Sequence, residues 1–556
     1  MERNGTSEAT FTRMKDLLRT NVNMQTESML PTRVLDIQGN STGHVRLRET
    51  RGRHGRYAAL SHCWGSSQHF TTIGATLKER LTSIEIAQMP KTFQDAIAVA
   101  RGLALPYLWI DSLCIVQQNN EDWEAESPKM AEYYGNACIT IAAANSTADT
   151  KGFLCNRSGY VRFGDAFPLD TIYTDECSLF ELYTSDKAHQ LYLKKVDRSP
   201  YDKFDSDSDP VRLQPLQRRA WTLQERYLSK QILHFGCAQN YLEANLKNTI
   251  FYEDGQKASG TQYWPKLHSP EQALPFQRWY DMLCEFSTRD ITNKSDTFPA
   301  LSGIAQRLAE HSGERYVAGL WKSDLARGLL WRTHPDATVN HKYESESYRA
   351  PSWSWASCDG RISFLVNHLE NEIDPDSWTN GHDHDPDSID IPLITNVEAN
   401  SEPLGPDRFG RLKSASLSLT APILKINNVT KHEPSPGSRE NKHTIEVPMT
   451  DAQTYIGNAY LDHPAEDLDI LKTNTLAVFI SYTMAPIFLA PKGAPFSFKN
   501  SFGIIVRKHQ GEQDTYLRIG VFEGAFRPGF STDIGGIKLI PQNSFTEENN
   551  RNIRIV

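Results

Sequence analysis

The residues best suited to chemistry fall at three places in the chain. Ser61-His62-Cys63-Trp64-Gly65 closes a short apolar run, Tyr57–Leu60, with an alcohol, an imidazole, a thiol and an indole. Asp111 and Ser112 follow a second apolar run, Tyr107–Ile110. Trp221 and Glu225 sit four residues apart in a stretch of helical propensity, Arg219–Leu228, so a carboxylate and an aromatic ring share one helix face. His62 beside Cys63 raises a thiol nucleophile, but adjacent side chains on an extended segment point to opposite faces, which works against that pair. Each residue also has a plain reading. Asp111 and Ser112 can cap a helix or turn, Trp64 and Trp109 can be core, and Glu225 can lie on the solvent face of an amphipathic helix.

The elements that must position these groups alternate. Tyr57–Leu60 reads as a strand, and Thr92 offers an N-cap with Asp95 three residues on, a relative of the capping box. Phe93, Ala96, Ile97, Ala100 and Leu103 then recur at the spacing of one helical face. Tyr107–Ile110 is a second strand, Asn120 can cap the next helix, and Gly135 fits that helix's C′ position. Cys138–Ala143 completes a β-α-β-α-β unit. Such alternation predicts an α/β fold with a mostly parallel sheet flanked by helices, and ligands in such sheets bind at the carboxyl ends of strands. Those ends carry Ser61 to Gly65, Asp111 to Gln118, and Ala144 with Asn145. Polar and aromatic residues at all three ends favour a site over mere loop closure.

The segments YAALSHCWG, PKTFQDAI, WIDSLCIVQ, DWEAESPKMAEYYGNA and RAWTLQE are together similar to the blocks of the HET domain, the heterokaryon-incompatibility domain of filamentous fungi. Five ordered blocks spread over Tyr57 to Glu225 carry the resemblance. It implies a role in non-self recognition and programmed cell death. HET domains in turn look distantly similar to TIR domains, whose enzymatic members cleave NAD and place a glutamate four residues after a tryptophan on a helix. Trp221-Thr-Leu-Gln-Glu225 matches those two positions, with Thr222 where the TIR pattern has cysteine. That resemblance implies a TIR-like sheet and makes Glu225 the candidate catalytic residue. Its carboxylate would stabilise the oxocarbenium ion left as neutral nicotinamide departs. Trp64 and Trp221 would stack on a planar base, and Ser61 and Asp111 would bind sugar or phosphate-proximal hydroxyls. NAD enters as a candidate substrate, and no resident cofactor is implied. No G-x-G-x-x-G or Walker pattern occurs, which excludes the simplest dehydrogenase and kinase readings.

Composition sets the outer bounds. The chain has 556 residues, 39% apolar, with 11 Trp, 21 Tyr and 24 Phe, which argues for a folded, aromatic-rich protein of more than one domain. Net charge is −9, and no stretch reads as a nucleic-acid footprint, so nucleic-acid binding is not expected. No signal peptide or membrane span is visible, and a soluble cytoplasmic protein is expected. The eight cysteines include no C-x-x-C, and no zinc-type spacing or other metal site is expected. His382, Asp383 and His384 lie in a polar tract without fixed geometry.

The expected organisation is a mobile arm over 1–30, the HET domain over 31–260 with core motifs at 57–144 and 219–225, and a mixed helical region over 261–412 with a polar insert at 367–390. An antiparallel, sandwich-like β-rich module then covers 413–556. Three functions compete. One is a cell-death effector, acting through NAD cleavage, that answers an incompatibility partner. The second is a non-enzymatic adaptor working by self-association, with Glu225 structural. The third is a specialised-metabolism enzyme on the same scaffold.

Overall fold

The computed structural model describes residues 8–38, 43–65, 70–154, 160–162, 178–185, 190–197, 214–237, 239–244, 249–253, 257–259, 276–333, 348–365, 389–431, 442–448, 454–462, 475–485, 497–509, 514–524 and 549–556. The acidic tract at 201–210 and nearly all of the 367–390 insert, with His382, Asp383 and His384, lie outside them. Two compact units form: Met1–Ala273 with Arg289–Thr292 and Pro299–Arg307, and Leu274–Thr288 with Asn293–Phe298 and Leu308–Val556.

The first unit is built on a ten-stranded sheet. Its strands are β1 (Arg33–Asp36), β2 (His44–Glu49), β3 (Tyr57–Ser61), β4 (Ile84–Glu85), β5 (Tyr107–Trp109), β6 (Ile139–Ala142), β7 (Gln231–Phe235), β8 (Asn240–Ala244), β9 (Thr249–Tyr252) and β10 (Lys257–Ser259). They lie in the order β10-β9-β8-β7-β6-β3-β5-β1-β2-β4. Only the central β7, β6, β3 and β5 run parallel, and every other pairing is antiparallel. The sheet is therefore mixed, not mostly parallel. Parallel pairing needs a crossover connection, and here the long connections that carry helices lie between the central strands. Short links such as 236–239 can return the chain only antiparallel.

The central strands are buried apart from the half-buried Tyr107. Ala58, Leu60, Leu108, Ile139, Ile141 and Leu233 pack with Phe93, Ala96, Ile97 and Ala100 of the helix Lys91–Gly102 in one core. N-terminal to these, α1 (Glu8–Asn21) is held where an arm is expected: Met14 and Leu18 are buried in that core, and Arg13 meets Glu253 at 3.1 Å.

Local signals are used in unexpected ways. The Lys91–Gly102 helix, α2, follows Pro90, so Thr92 and Asp95 do not cap it. Instead Thr92 accepts from the Gly152 amide at 3.2 Å, and Asp95 accepts from the Phe153 and Leu154 amides at 2.9 and 3.1 Å. Both residues thus pin the loop that follows β6. Asn119, one residue before the expected cap, accepts from the Asp122 amide. Gly135 lies inside the helix Met130–Asn136, α3, where a Cβ would meet the Arg307 guanidinium.

The second unit ends in a closed ring of strands: β11 (Leu412–Lys425), β12 (Thr475–Ala485), β13 (Ser497–Lys508), β14 (Thr515–Gly524) and β15 (Asn550–Ile555). Each pairs with the next, and β15 returns to β11. This is a small barrel and not a sandwich, since closure leaves no free edge among these five strands. Ala477, Phe479, Ile505, Ile519 and Phe522 fill its core cluster. The ten-stranded sheet of this unit takes in Ile389–Pro392, earlier than the expected 413, and short two-stranded pairs lie before it at 316–321 and 331–364.

Candidate functional site

Three chain segments converge at the carboxyl ends of β3 and β5. β3 ends in Ser61, which is buried, and the chain continues through His62, Cys63 and Trp64. Gly65 has φ +80°, and a Cβ there would come within 2.5 Å of the Ala148 Cβ, so only glycine fits this close approach. β5 ends at Trp109, and Asp111 opens a one-turn helix, Asp111–Cys114, with its Oδ1 accepting from the Ser112 amide at 2.7 Å. Asp111 is thus the first residue of the turn and not its N-cap, which is Ile110 and makes no side-chain cap bond. The other Asp111 oxygen, Oδ2, accepts from the Trp64 indole N–H at 3.0 Å, tying the two strand ends together. His62 Nδ1 lies 3.9 Å from the same carboxylate, its ring edge-on to Phe93.

The third segment is α4 (Trp221–Leu228), which is not amphipathic as placed. Thr222 through Leu228 are all buried. Glu225 is 3% exposed, which rules out a solvent-facing side chain. The helix is tied in on several sides. Gln224 accepts from the Gly303 amide at 2.8 Å, and Ser229 donates to the Glu225 carbonyl at 2.6 Å. Arg226 forms a two-pronged pair with Glu243, at 2.9 and 3.1 Å. Glu243 also meets His234 at 2.9 Å, and these partners hold its carboxyl down at about 2 against the effect of burial.

Glu225 has the opposite environment. Burial pushes its carboxyl up to about 7. Arg219 opposes that rise, the Asp111 charge adds to it, and the Ser61 and Tyr134 hydroxyls favour the ionised form. Tyr134, from α3, keeps its own hydroxyl on the Leu60 carbonyl at 3.2 Å, and Glu225 Oε2 is buried without a hydrogen-bond partner. Arg219 is anchored by its guanidinium donating to the His62 carbonyl, and it stacks 5.9 Å above the Trp64 ring. Its backbone is braced by Arg289, which donates to the Arg219 carbonyl at 3.3 Å and to Gln217 at 2.9 Å.

Of the five residues singled out from sequence, Ser61, Trp64, Asp111 and Glu225 come together. Trp221 heads the same helix, and its half-buried ring packs against Trp123 at 5.9 Å. Arg219 and Tyr134 were missed, although each sits in one of the motif blocks. A signal for Arg219 was present: a cation six residues before a carboxylate in a segment otherwise dominated by apolar and amide residues. The cysteines beside the cluster are poor nucleophiles. Burial raises Cys63 to about 11 and Cys114 to about 12, so both are thiols at neutral pH. Among the described residues no group of three or more His, Cys, Asp or Glu is arranged to hold a metal ion, and no helix is long and apolar enough to cross a membrane.

The cluster sets the Glu225 carboxyl, raised to about 7, between the Arg219 guanidinium and the Asp111 carboxyl. No curated protein and no solved structure matches the chain. The family model of the heterokaryon incompatibility protein (HET) matches residues 57–225, the stretch from the first strand of this cluster to Glu225 itself. The chain therefore carries a heterokaryon incompatibility domain at residues 57–225.

Proposed function

We propose that this heterokaryon-incompatibility-type protein is a cell-death effector of non-self recognition, and that its HET domain cleaves the nicotinamide–ribose bond of NAD. The observation that carries the reading is the buried Glu225 carboxyl, raised to about 7, among Arg219, Asp111, Ser61 and Tyr134 at the carboxyl ends of parallel strands. A raised carboxyl pKa with named charge partners marks a functional-site candidate. In this reading the C–N bond to the cationic pyridinium breaks and nicotinamide leaves neutral. Ionised Glu225 stabilises the ribosyl cation, and water adds to it, releasing a proton. Ser61 and Asp111 bind ribose hydroxyls, and Trp64 and Trp221 stack on planar rings. Substrate reaches Glu225 when the Trp64–Asp111 hydrogen bond opens. Self-association is the step we assign to activation. The short Trp221-to-Glu225 resemblance to TIR domains supports the same chemistry.

The adaptor reading keeps one observation on its side. Glu225 is 3% exposed, as a structural residue would be. Expression of the full chain and of Glu225→Gln in a fungal host separates the two. The enzymatic reading expects death and falling NAD with wild type and neither with the variant. Equal killing by both, with NAD unchanged, would select the adaptor.

A further inference from the structure

Residues 46–56 read R-L-R-E-T-R-G-R-H-G-R, five arginines in eleven positions of a chain whose net charge is −9. Arg46 and Arg48 alternate with buried Val45 and Leu47 on β2, so both side chains project from one face. Arg51 and Gly52 make the turn that follows, with φ of +53° and +75°, and Arg53 leaves it. These four arginines, with Glu49 and Leu81, line a groove of about 280 Å³. It lies at the antiparallel side of the sheet, separated from β3 by β1 and β5, and shares no residue with the Glu225 cluster.

The carboxylates nearby do not neutralise it. Arg46 and Arg48 share Asp36, each at 3.5 Å, and Arg51 meets Glu49 only at 3.8 Å with both side chains exposed. The exposed Arg51–Glu49 pair is worth little and exchanges readily for a better anion, while the largely buried Asp36 serves two guanidinium groups at once. Arg53 has no ion pair among the described residues. Four guanidinium groups against two carboxylates leave a surplus of positive charge in a concave site, and planar guanidinium forks match phosphate oxygens two at a time.

We propose that this groove binds a compact, multiply phosphorylated group, either a free small molecule or a lipid headgroup. An extended nucleic-acid backbone fits less well, because it spreads one charge per ~1.7 Å along a line. The groove is closer to the ~300 Å³ lower bound of small-molecule sites.

Calorimetric titration of the full chain with inorganic tripolyphosphate, and flotation with phosphatidylcholine vesicles doped with a bisphosphorylated inositol lipid, test this. Arg51→Ala with Arg53→Ala removes two exposed turn side chains that contribute nothing to the core, and should weaken tripolyphosphate binding by about 10-fold or more through the loss of charge-assisted hydrogen bonds. Lys508→Glu, at the exposed end of a barrel strand, should change it little. Binding of tripolyphosphate alone assigns a free ligand, and binding of both probes assigns a headgroup. Either result supports the site. No binding of either probe, equal loss in Lys508→Glu, or a short DNA duplex bound more tightly than both would overturn it.

Discussion

Glu225 is held between opposing charges that can be removed one at a time. Asp111 pushes its carboxyl up and Arg219 pulls it down. Asp111→Asn should therefore move the Glu225 titration below about 7, and Arg219→Gln should move it higher. Isotope-edited infrared spectra of the carboxyl band, with Glu225→Gln as the blank, would follow both. Movement of the band in the same direction in both variants would show that the two residues act through structure and not through charge. The raised value also fixes how this group affects stability. Folded Glu225 ionises near 7 and an unfolded glutamate near 4.5, so it favours the folded state at low pH. That contribution is complete below about 4.5 and fades as pH rises to about 7. Glu225→Gln should hence melt no lower than wild type above neutrality, with its advantage shrinking toward pH 4.5. A variant that melts lower at every pH would show that the carboxylate stabilises the fold.

At the scale of elements, α4 is fastened to the sheet by a second carboxylate with the opposite sign of shift. Glu243 is held down at about 2 by Arg226 and His234, so its contribution is present above about 4.5 and is lost as pH falls toward 2. Glu243→Leu removes the buried carboxylate that pairs with Arg226 and should cost about 3–5 kcal/mol, read as a lower denaturant midpoint. Gly65→Ala adds a Cβ against Ala148 at a positive φ, and about 1–3 kcal/mol of strain should follow. The strands and most helices of residues 57–144 were legible, because apolar runs and a helical period report burial directly. The partners of Thr92 and Asp95 were not, because a side chain that can cap a helix can equally hold a distant loop amide. Of the flanking antiparallel strands, Val34–Ile37 and Val45–Leu47 also read as short strands from their apolar residues, whereas those at 240–244, 249–252 and 257–259 were passed over. The run at 44–49 alternates, but nothing local in it names β1 as its neighbour. Arg219 and Glu225 lie six residues apart, but spacing alone does not say that both meet Asp111, which comes from a distant strand end.

At the scale of the molecule, the first unit is not contiguous in sequence. Arg289 braces Arg219, Gly303 donates to Gln224, and Arg307 donates to the Ala131 carbonyl at 3.2 Å. A chain ending at residue 260 loses all three, whereas one ending at 307 keeps them. The longer fragment should be soluble and melt cooperatively, and the shorter should not. Equal behaviour of the two would return the domain boundary to 260. If Glu225 acts on a ribosyl bond, the purified full chain should release nicotinamide from NAD. Measured at high protein concentration to permit self-association, release by wild type should rise with pH through about 7, as Glu225 ionises. Glu225→Gln should be slower by ~10²–10³-fold, the loss typical of removing one transition-state electrostatic contact. Nicotinamide released equally by both proteins, or a wild-type rate that does not change across that range, would contradict that action of Glu225.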